Sequence, residues 1–354
     1  MTTIIAAMQD SLITLKSSKT GWKKQTQESL KDTSPQCIAF DPRNSNRAYC
    51  GTFGDGLWKT DDSGQTWNSI GKASISSKDV MSVSVSRHLK RGNNEFNTVY
   101  VGTEPTALYR SDDGGISWEK MSALNNLKSS TSWSFPPRPW TSHVRWIEPD
   151  VNNPGYVFAA IEAGALVQSH DGGRTWIDRV EGGPYDTHTM ATHKKMPGHL
   201  YSAAGDGYFE SYDYGQTWKR LVAGLDDYNY LLGLALDSRD PKTVVVSASQ
   251  GAYQAHSRED PKSLVCVSTS STDDANNNRD REWKVVKGLP EPSGTIISIL
   301  AANPKVAGEF YAINNRGIFC STDSGNSWKM LDGIQWPKEY LSQHPFALAV
   351  REDR

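Results

Sequence analysis

One eight-residue pattern recurs along this 354-residue chain and restricts its fold more than any other feature. The pattern reads Ser/Thr-x-Asp-x-Gly-x-Ser/Thr-Trp, and its five copies begin at Thr60, Ser111, Ser169, Ser211 and Ser321. Each copy ends at a tryptophan seven residues later. Five matches at the same fixed points indicate an internal repeat, which is the signature of propellers and other repeat architectures.

Each residue type in the pattern suits a tight turn between two strands. The Asp carboxylate can accept hydrogen bonds from backbone N–H groups of its own turn. The Gly adopts a backbone conformation that is closed to other residues. The Trp buries a large ring where the outgoing strand begins. We therefore predict that the pattern is a structural β-hairpin turn and not a catalytic motif.

Two degenerate copies raise the number of repeats to seven. Leu15 to Trp22 keeps the tryptophan and the spacing without the Asp, and a polar insertion from Ser270 to Asp280 precedes Trp283. Successive repeat tryptophans are 42 to 65 residues apart, which fits one four-stranded blade per repeat. The seven blade tryptophans are Trp22, Trp67, Trp118, Trp176, Trp218, Trp283 and Trp328.

Alternating strand-like runs and polar turns fill the intervals between these tryptophans. We predict an all-β fold in which residues 1–354 form a single seven-bladed β-propeller of four-stranded antiparallel blades. The run Thr3–Ala7 is expected to be a second strand, and Phe346–Val350 resembles the innermost strands. The C-terminal strand should therefore join the N-terminal blade and close the ring, which leaves no exposed sheet edge.

The repeated pattern is similar to the Asp box of the BNR-repeat superfamily, and the resemblance covers nearly the whole chain. Relatives with this box include sialidases, xyloglucan-type glucanases, sortilin-like receptors and photosystem II assembly factors, so the resemblance implies a fold more than a function. Sialidases carry an arginine cluster that opens with Phe-Arg-Ile-Pro near the N-terminus, and they have six blades. The nearest segment here is Phe135–Pro139 and seven blades are expected, so the comparison speaks against sialidase activity.

Two histidines at the start of neighbouring inner strands give the most specific indication of a functional site. His143 and His188 each precede by five residues the polar position taken as the strand end, Glu148 and His193 respectively. Equivalent positions in adjacent blades lie side by side, so we expect both histidines at the top mouth of the central channel. Pockets where several blades converge are the usual ligand sites of such folds.

Charged side chains on the predicted top-face loops complete this candidate site. The predicted catalytic residues are His143, His188, Glu162, Glu104 and Arg145, and the predicted ligand-binding residues are Arg138, Trp140, Asp206 and Arg316. Three interpretations remain open. They are a divalent metal held by His143, His188 and Glu162, a metal-free acid–base pair, and a solvated mouth with hydrogen-bonded histidines. The insertion Glu119 to Ser142, which carries Arg138 and Trp140, is either a lid or a loop that caps one blade.

Charge and hydropathy limit the partners. The chain has 38 basic and 40 acidic residues, with no basic patch for nucleic acid or an anionic membrane. The first ten residues do not resemble a secretory signal and no run of about 18 apolar residues occurs, so we expect a cytoplasmic protein. The predicted partner is a small-molecule or carbohydrate-like ligand, bound or processed by a glycosidase-like hydrolase or lyase. The alternative is a non-enzymatic scaffold or assembly factor that holds a partner protein.

Overall fold

The computed structural model describes residues 1–18, 21–22, 27–86, 97–135, 141–269 and 281–352. In these ranges the chain is nearly all β and forms seven antiparallel sheets that follow one another along the sequence. The innermost strand of each sheet contacts the innermost strands of the sheets before and after it, and the last contacts the first. The sheets are therefore the blades of a seven-bladed β-propeller, which confirms the predicted fold class.

The strands are numbered in chain order, and each blade is given from its innermost strand outwards. Blade 1 contains β28 (Pro345–Glu352), β1 (Thr2–Met8), β2 (Leu12–Ser18) and β3 (Gly21–Trp22), with β4 (Gln27–Ser29) also beside β2. Blade 2 contains β5 (Pro35–Phe40), β6 (Ala48–Thr52), β7 (Leu57–Thr60) and β8 (Asn68–Ile70). Blade 3 contains β9 (Asp79–Ser86), β10 (Thr98–Glu104), β11 (Ala107–Ser111) and β12 (Glu119–Lys120).

Blade 4 contains β13 (Val144–Pro149), β14 (Val157–Ile161) and β15 (Ala165–Ser169), and its outermost strand is reduced to one bridge between Gln168 and Ile177. Blade 5 contains β16 (Thr187–Thr192), β17 (Leu200–Ala204), β18 (Gly207–Ser211) and β19 (Lys219–Arg220). Blade 6 contains β20 (Tyr230–Leu236), β21 (Thr243–Ser249), β22 (Ser263–Thr269) and β23 (Lys284–Val285). Blade 7 contains β24 (Ile299–Ala302), β25 (Phe310–Asn314), β26 (Gly317–Ser321) and β27 (Lys329–Met330).

Short helical turns lie in the loops between strands. The helix α1 (Ala252–His256) joins β21 to β22. Three 3-10 turns cover Ser122–Asn126, Lys128–Ser132 and Lys338–Ser342. In the part of the chain that the structure describes, no helix has the length and apolar character needed to cross a bilayer.

The C-terminal strand closes the ring as predicted. β28 pairs antiparallel with β1, from Glu352 opposite Thr2 to Pro345 opposite Met8. The N-terminal ammonium group also contacts Oε1 of Glu352 at 2.8 Å. The two ends of the chain thus cover each other's strand edge, which removes a surface open to intermolecular pairing.

The apolar core lies between adjacent blades. Second strands such as β10 and β21 are buried along their whole length, because each has a neighbouring blade on both faces. Between blades 5 and 6, for example, Tyr208, Leu231 and Trp283 pack in one cluster of buried side chains. Burial on both faces explains why these strands are apolar almost throughout, as in other fully covered sheets.

The repeated pattern forms the predicted turn. In the copy that begins at Ser169, the Asp171 carboxylate accepts hydrogen bonds from the backbone N–H and the hydroxyl of Thr175, at 2.8 and 2.7 Å. The Ser169 hydroxyl oxygen accepts from the Gly173 N–H at 2.8 Å, and Trp176 Nε1 donates to the Gly173 carbonyl at 3.0 Å. Gly173 has a φ of +94°, which other residues rarely adopt. Equivalent carboxylate contacts occur at Asp62, Asp113, Asp213 and Asp323.

A β-bulge near the start of several inner strands directs side chains toward the channel mouth. In blade 4 the register shifts between Val144 and Trp146, so Arg145 has no partner on the second strand. In blade 5 the shift lies between Thr187 and Thr189 and leaves His188 unpaired in the ladder. Bulges of this kind bend a strand and re-aim a side chain, and they are frequent beside functional sites.

The bulges correct one part of the sequence analysis. Arg145, and not His143, is the structural equivalent of His188, and His143 is the equivalent of Asp186. The sequence alignment took Glu148 as the end of the inner strand and placed His143 five residues before it. The residue that follows the inner strand and caps its turn is Asp150, which accepts the N–H groups of Asn152 and Asn153 at 2.6 Å each. The two histidines nevertheless reach one cluster, because residues two apart on a strand share a face.

Candidate functional site

A cluster of ionisable side chains lies at the top mouth of the channel, where the inner strands begin. His143 precedes β13, Glu162 follows β14, and Asp186 and His188 lie at the start of β16. Blades 4 and 5 are neighbours, so their first turns bring these four residues together. We refer to His143, Glu162, Asp186 and His188 as the top-face cluster.

Glu162 is the centre of the top-face cluster. Its Oε2 lies 2.6 Å from Nε2 of His143 and 3.4 Å from Nε of Arg145, and its Oε1 lies 3.5 Å from Nε2 of His188. Burial opposes the ionisation of Glu162, but the hydrogen bond from His143 and the charge of Arg145 hold its pKa well below the ordinary value. The carboxylate is therefore ionised, and the Nε2–H of His143 is the donor.

His188 is fully buried and its ring orientation is fixed. Its Nδ1 lies 2.6 Å from the Leu231 carbonyl, so Nδ1 carries a hydrogen and Nε2 faces the cluster. Nε2 lies 3.5 Å from both Oε1 of Glu162 and Oδ2 of Asp186. Burial lowers the pKa of His188, but the hydrogen bond with Asp186 and the charge of Glu162 outweigh it and raise the pKa above its ordinary value.

Asp186 is the member of the cluster that the sequence analysis missed. Its Oδ1 accepts the Ala163 N–H at 2.7 Å, which leaves Oδ2 toward His188. The predicted ligand-binding residue Asp206 supports this loop, because its carboxylate accepts the N–H groups of Tyr185 and Asp186 at 3.1 and 3.2 Å. The available signal in the sequence was the spacing Asp-x-His, which places Asp186 and His188 on one face of β16.

Three members of the cluster satisfy the geometry of a metal site. Glu162, Asp186 and His188 each offer one ligand atom, and these three atoms lie within 4.8 Å of one another. Ligands at about 2.0–2.2 Å around a tetrahedral ion are about 3.4 Å apart, close to the 3.5 Å that separates His188 Nε2 from each carboxylate. Each residue is also held through its other polar atom, as metal ligands commonly are.

Glu104 lies on the Nδ1 side of the His143 ring and is not one of the three candidate metal ligands. Its Oε1 accepts the Thr141 hydroxyl at 2.7 Å, and its Oε2 lies 3.6 Å from Nδ1 of His143. The edge of the Phe135 ring packs against the His143 ring with centroids 4.8 Å apart. His143 is thus held between a buried carboxylate, an aromatic ring and Glu162, in an arrangement that orients its ring.

A second histidine group faces the cluster from blades 6 and 1. The Tyr230 hydroxyl lies 3.5 Å from Nε2 of His188 and 3.0 Å from Nε2 of His256. His256 Nδ1 lies 2.6 Å from Nε2 of His344, whose Nδ1 lies 2.6 Å from the Pro345 carbonyl. The carbonyl accepts from His344 Nδ1–H, so the hydrogen bonds run in one direction, from Tyr230 through His256 to His344.

Both rings of this second group are neutral at physiological pH. Burial, the charge of Arg145 and the charge of Arg258 lower the pKa of His344 to about 4, although its hydrogen bond to Pro345 opposes the change. Neighbouring groups at the channel mouth displace water from the His256 ring, and this desolvation lowers its pKa. The charge of the adjacent His344 lowers the pKa of His256 further. The sequence gives no signal for this pair of histidines, because their contact joins residues 88 positions apart and depends on ring closure.

Of the remaining predicted residues, one lies beside the cluster, one lies apart from it, and two lie outside the described residues. Arg145 contacts Glu162 at the mouth, with its Nε 3.4 Å from Oε2. The exposed Arg316 is on the top turn of blade 7, where its Nε donates to the Gly294 carbonyl at 3.1 Å. Arg138 and Trp140 lie outside the described residues.

Comparisons with known proteins support the architecture. The chain is similar to an ancestral GH74 enzyme, with a TM-score of 0.62 and 17% identity over 84% of this chain, and it spans only 38% of that enzyme. It is also similar to YCF48 from Cyanidioschyzon merolae, with a TM-score of 0.53, 13% identity, and coverage of 84% of this chain and 85% of that one. A structure of YCF48 bound to D1 peptide aligns with a TM-score of 0.53, 18% identity, and 84% and 82% coverage.

These similarities are structural and not close in sequence. No family profile matches the chain, and no curated protein does. At identities below one fifth, the likeness to GH74 enzymes and YCF48 establishes the seven-bladed propeller and leaves the chemistry to the residues themselves.

Proposed function

We propose that the top-face cluster binds a divalent cation through Glu162, Asp186 and His188 and acts on a small oxygen-rich substrate, as a hydrolase or lyase. The substrate class is carbohydrate-like or carboxylated. The observation that carries the proposal is the convergence of one oxygen or nitrogen from each of these three residues on a common point. This set replaces His143 of the sequence interpretation by Asp186, because His143 Nε2 is already bonded to Glu162.

The contacts behind the three ligands support a metal more than a hydrogen-bonded triad. His143 holds Glu162, the Ala163 N–H holds Asp186, and the Leu231 carbonyl holds His188. Each partner engages the atom that would not bind the ion, and such support is characteristic of metal sites. One imidazole and two carboxylates suit Zn²⁺ or Mn²⁺.

Neighbouring side chains supply what a substrate needs. When bound, the cation would polarise a substrate oxygen or activate a water molecule. The Arg145 guanidinium beside Glu162 is suited to a carboxylate or hydroxyl of the substrate. The Tyr230 hydroxyl oxygen, 3.5 Å from His188 Nε2, can accept a hydrogen bond from a substrate hydroxyl at the same place. Burial and the charge of Glu162 raise the Tyr230 pKa, so this hydroxyl keeps its proton.

Metal content is the first measurement. Elemental analysis of the purified protein, with and without added Zn²⁺ or Mn²⁺, should give about one ion per chain. Asp186→Asn and His188→Ala should each lose it. His170→Ala is the matched control, because His170 is exposed in a repeat turn far from the cluster. A wild-type protein that retains no ion after supplementation would contradict the metal site and leave the acid–base interpretation of His188 and Glu162.

A protein-binding role is the second candidate, favoured by the rim of the same face. Four large apolar residues are at least 38% exposed in top-face loops, namely Phe53, Tyr185, Tyr253 and Leu341. Exposed apolar groups around a mouth suit a protein surface, and YCF48, which has a similar fold, has been solved with a D1 peptide. Tyr253→Ser with Leu341→Ser should abolish capture of a partner while the metal content stays unchanged.

The repeat also supports a proposal about the family to which the chain belongs. We infer that the chain is a divergent Asp-box propeller, since its repeat turns share one hydrogen-bond arrangement between Asp and Ser or Thr. A cytoplasmic location remains a prediction from the sequence. Fractionation of the native host with an antibody against this chain would test it.

A further inference from the structure

The opposite end of the channel contains a second cavity that the top-face site does not use. Its volume is about 380 Å³, and it is bordered by inner strands of blades 3 to 7. This volume lies in the range of small-molecule sites, about 300–1,000 Å³. Glu148, Asp150 and Trp146 line it near the end of β13, whereas His143 precedes the start of that strand.

Glu148 gives this cavity a carboxylate whose hydrogen-bond donors, among the residues that the structure describes, include no cation. It accepts the N–H and the hydroxyl of Thr192 at 3.0 and 3.1 Å and Nε1 of Trp146 at 3.4 Å. All three donors are neutral. Glu148 is only partly exposed, and a nearby cation stabilises the charge of a carboxylate that is withdrawn from water, so a positively charged group is a suitable complement of this site.

Asp150 provides a second, independent indication. It is 1% exposed and lines the same cavity. Its Oδ1 caps the turn through Asn152 and Asn153, but its Oδ2 makes no hydrogen bond within the described residues. Buried oxygens without a partner are rare, and each needs an explanation such as a bound group.

The residue type at the Glu148 position also differs from that at the equivalent positions of other blades. Three residues after the bulge, blade 4 has Glu148, whereas blades 2 and 5 have Ala39 and Ala191. Blade 6 has Ala235 on the cavity wall, and Ala301 lines it from blade 7. Glu148 therefore faces small apolar residues of the other blades, which leaves room for an apolar body beside the charge.

We propose that this cavity binds an organic ammonium cation, whose charged group pairs with Glu148 and donates to Asp150 while its apolar body packs against Ala235 and Ala301. A bare metal ion is smaller than a water molecule, which takes about 30 Å³. It would therefore leave most of the 380 Å³ cavity unfilled. The proposal is independent of the metal at the top mouth, because the two sites share no residue.

The ionisation of Glu148 gives a way to recognise the complex. Burial raises its pKa to about 7, although the hydrogen bonds from Thr192 and Trp146 oppose this. The other titratable side chains on the cavity wall are Asp150, His193 and Lys194. A bound ammonium group stabilises the carboxylate, so its affinity should increase between pH 6 and pH 8.

The test uses three probes of one shape. Benzylammonium, benzyl alcohol and benzoate are titrated into the full-length protein at pH 8 by calorimetry or ligand-observed NMR. We expect only benzylammonium to bind. Glu148→Gln should weaken it at least about tenfold, as expected for the loss of a charge-assisted contact, and Ala301→Leu should block the cavity. Glu119→Gln, an exposed substitution on β12, is the matched control.

Separate outcomes would overturn the proposal. Equal binding of benzyl alcohol, or unchanged binding to Glu148→Gln, would show that the carboxylate does not recognise the ligand. Displacement of the probe by K⁺ at similar concentration would indicate an inorganic cation site instead. Glu162→Gln should leave benzylammonium binding unchanged, so a failure of the top-face metal site would not be mistaken for a failure here. Glu148→Gln should fold, because the raised pKa shows that the folded protein accommodates an uncharged side chain at this position.

Discussion

Nε2 of His143 donates to Oε2 of Glu162 over 2.6 Å, and this contact leaves Oε1 as the oxygen that faces His188. On its other side the His143 ring meets Glu104 and the edge of Phe135. His143 is therefore a positioning residue, which acts on the proposed ion through Glu162. Its side chain is 1% exposed, so solvent does not compete for the contact.

The first prediction concerns this positioning role. His143→Ala should weaken metal binding about 10–100-fold, the usual effect of removing a residue that orients a ligand, while Asp186→Asn should abolish it. The measurement is competition for Zn²⁺ against a chromogenic chelator. His143→Gln can still donate to Glu162 and should recover part of the affinity. Equal losses in His143→Ala and Asp186→Asn would make His143 a ligand and contradict the assignment.

The sequence predicted those residues of the site whose positions follow from the local pattern of one repeat. His143, Glu162, Arg145 and His188 lie at strand starts and turns, which the repeat assigns to the top face, and all four meet there. Asp186 was missed because a bulge is invisible in an alternating pattern and shifted the alignment by two residues.

The contact between His256 and His344 could not be predicted for a different reason. It joins α1 of blade 6 to the residue before β28 of blade 1, so it exists only after the ring has closed. The strand order was predictable because every blade repeats the same local rules. Each contact across the channel involves one particular pair of residues, and the repeat does not predict it.

The second prediction addresses the repeat turns. Asp171→Ala removes the acceptor for the N–H and hydroxyl of Thr175, so it should lower the free energy of unfolding by about 1–2 kcal/mol. Metal binding should not change, since this turn is on the opposite face. Urea unfolding followed by tryptophan fluorescence measures the loss. A change in metal content with unchanged stability would contradict a purely structural role.

The third prediction concerns a buried ion pair between blades 5 and 6. Glu210 and Arg281 are 1% and 3% exposed and hydrogen-bonded to each other, and Glu210 also contacts Nε2 of His199 at 2.9 Å. Arg281→Met leaves the carboxylate buried without its cation and should cost about 3–5 kcal/mol. Thermal unfolding is the measurement, and Arg316→Met, a substitution of an exposed arginine, is the control.

The same pair has a pH signature. Burial opposes the ionisation of Glu210, but His199 and Arg281 lower its pKa to about 2. Its stabilising contribution is therefore complete above the ordinary value of 4.5 and is lost as the pH falls toward 2. Wild type should lose stability over this interval and Glu210→Gln should lose less. Parallel pH profiles for the two proteins would show that Glu210 is not ionised in the folded state.

The last prediction uses Glu148, whose pKa is shifted in the opposite direction. The folded protein raises this pKa from the ordinary 4.5 to about 7 and so holds the proton more tightly than the unfolded chain. The contribution of Glu148 to the free energy of unfolding should be fully present below about pH 4.5 and should fall by about 3 kcal/mol as the pH rises to about 7, at about 1.4 kcal/mol per pKa unit. Glu148→Gln removes this dependence and should be more stable than wild type at pH 8, with little difference at pH 4.5. Added benzylammonium should stabilise wild type at pH 8 and leave the variant unchanged, because the ion complements only the carboxylate. A variant less stable than wild type at pH 8 would mean that the Glu148 charge is already compensated, and the cavity would then have no need of a cation.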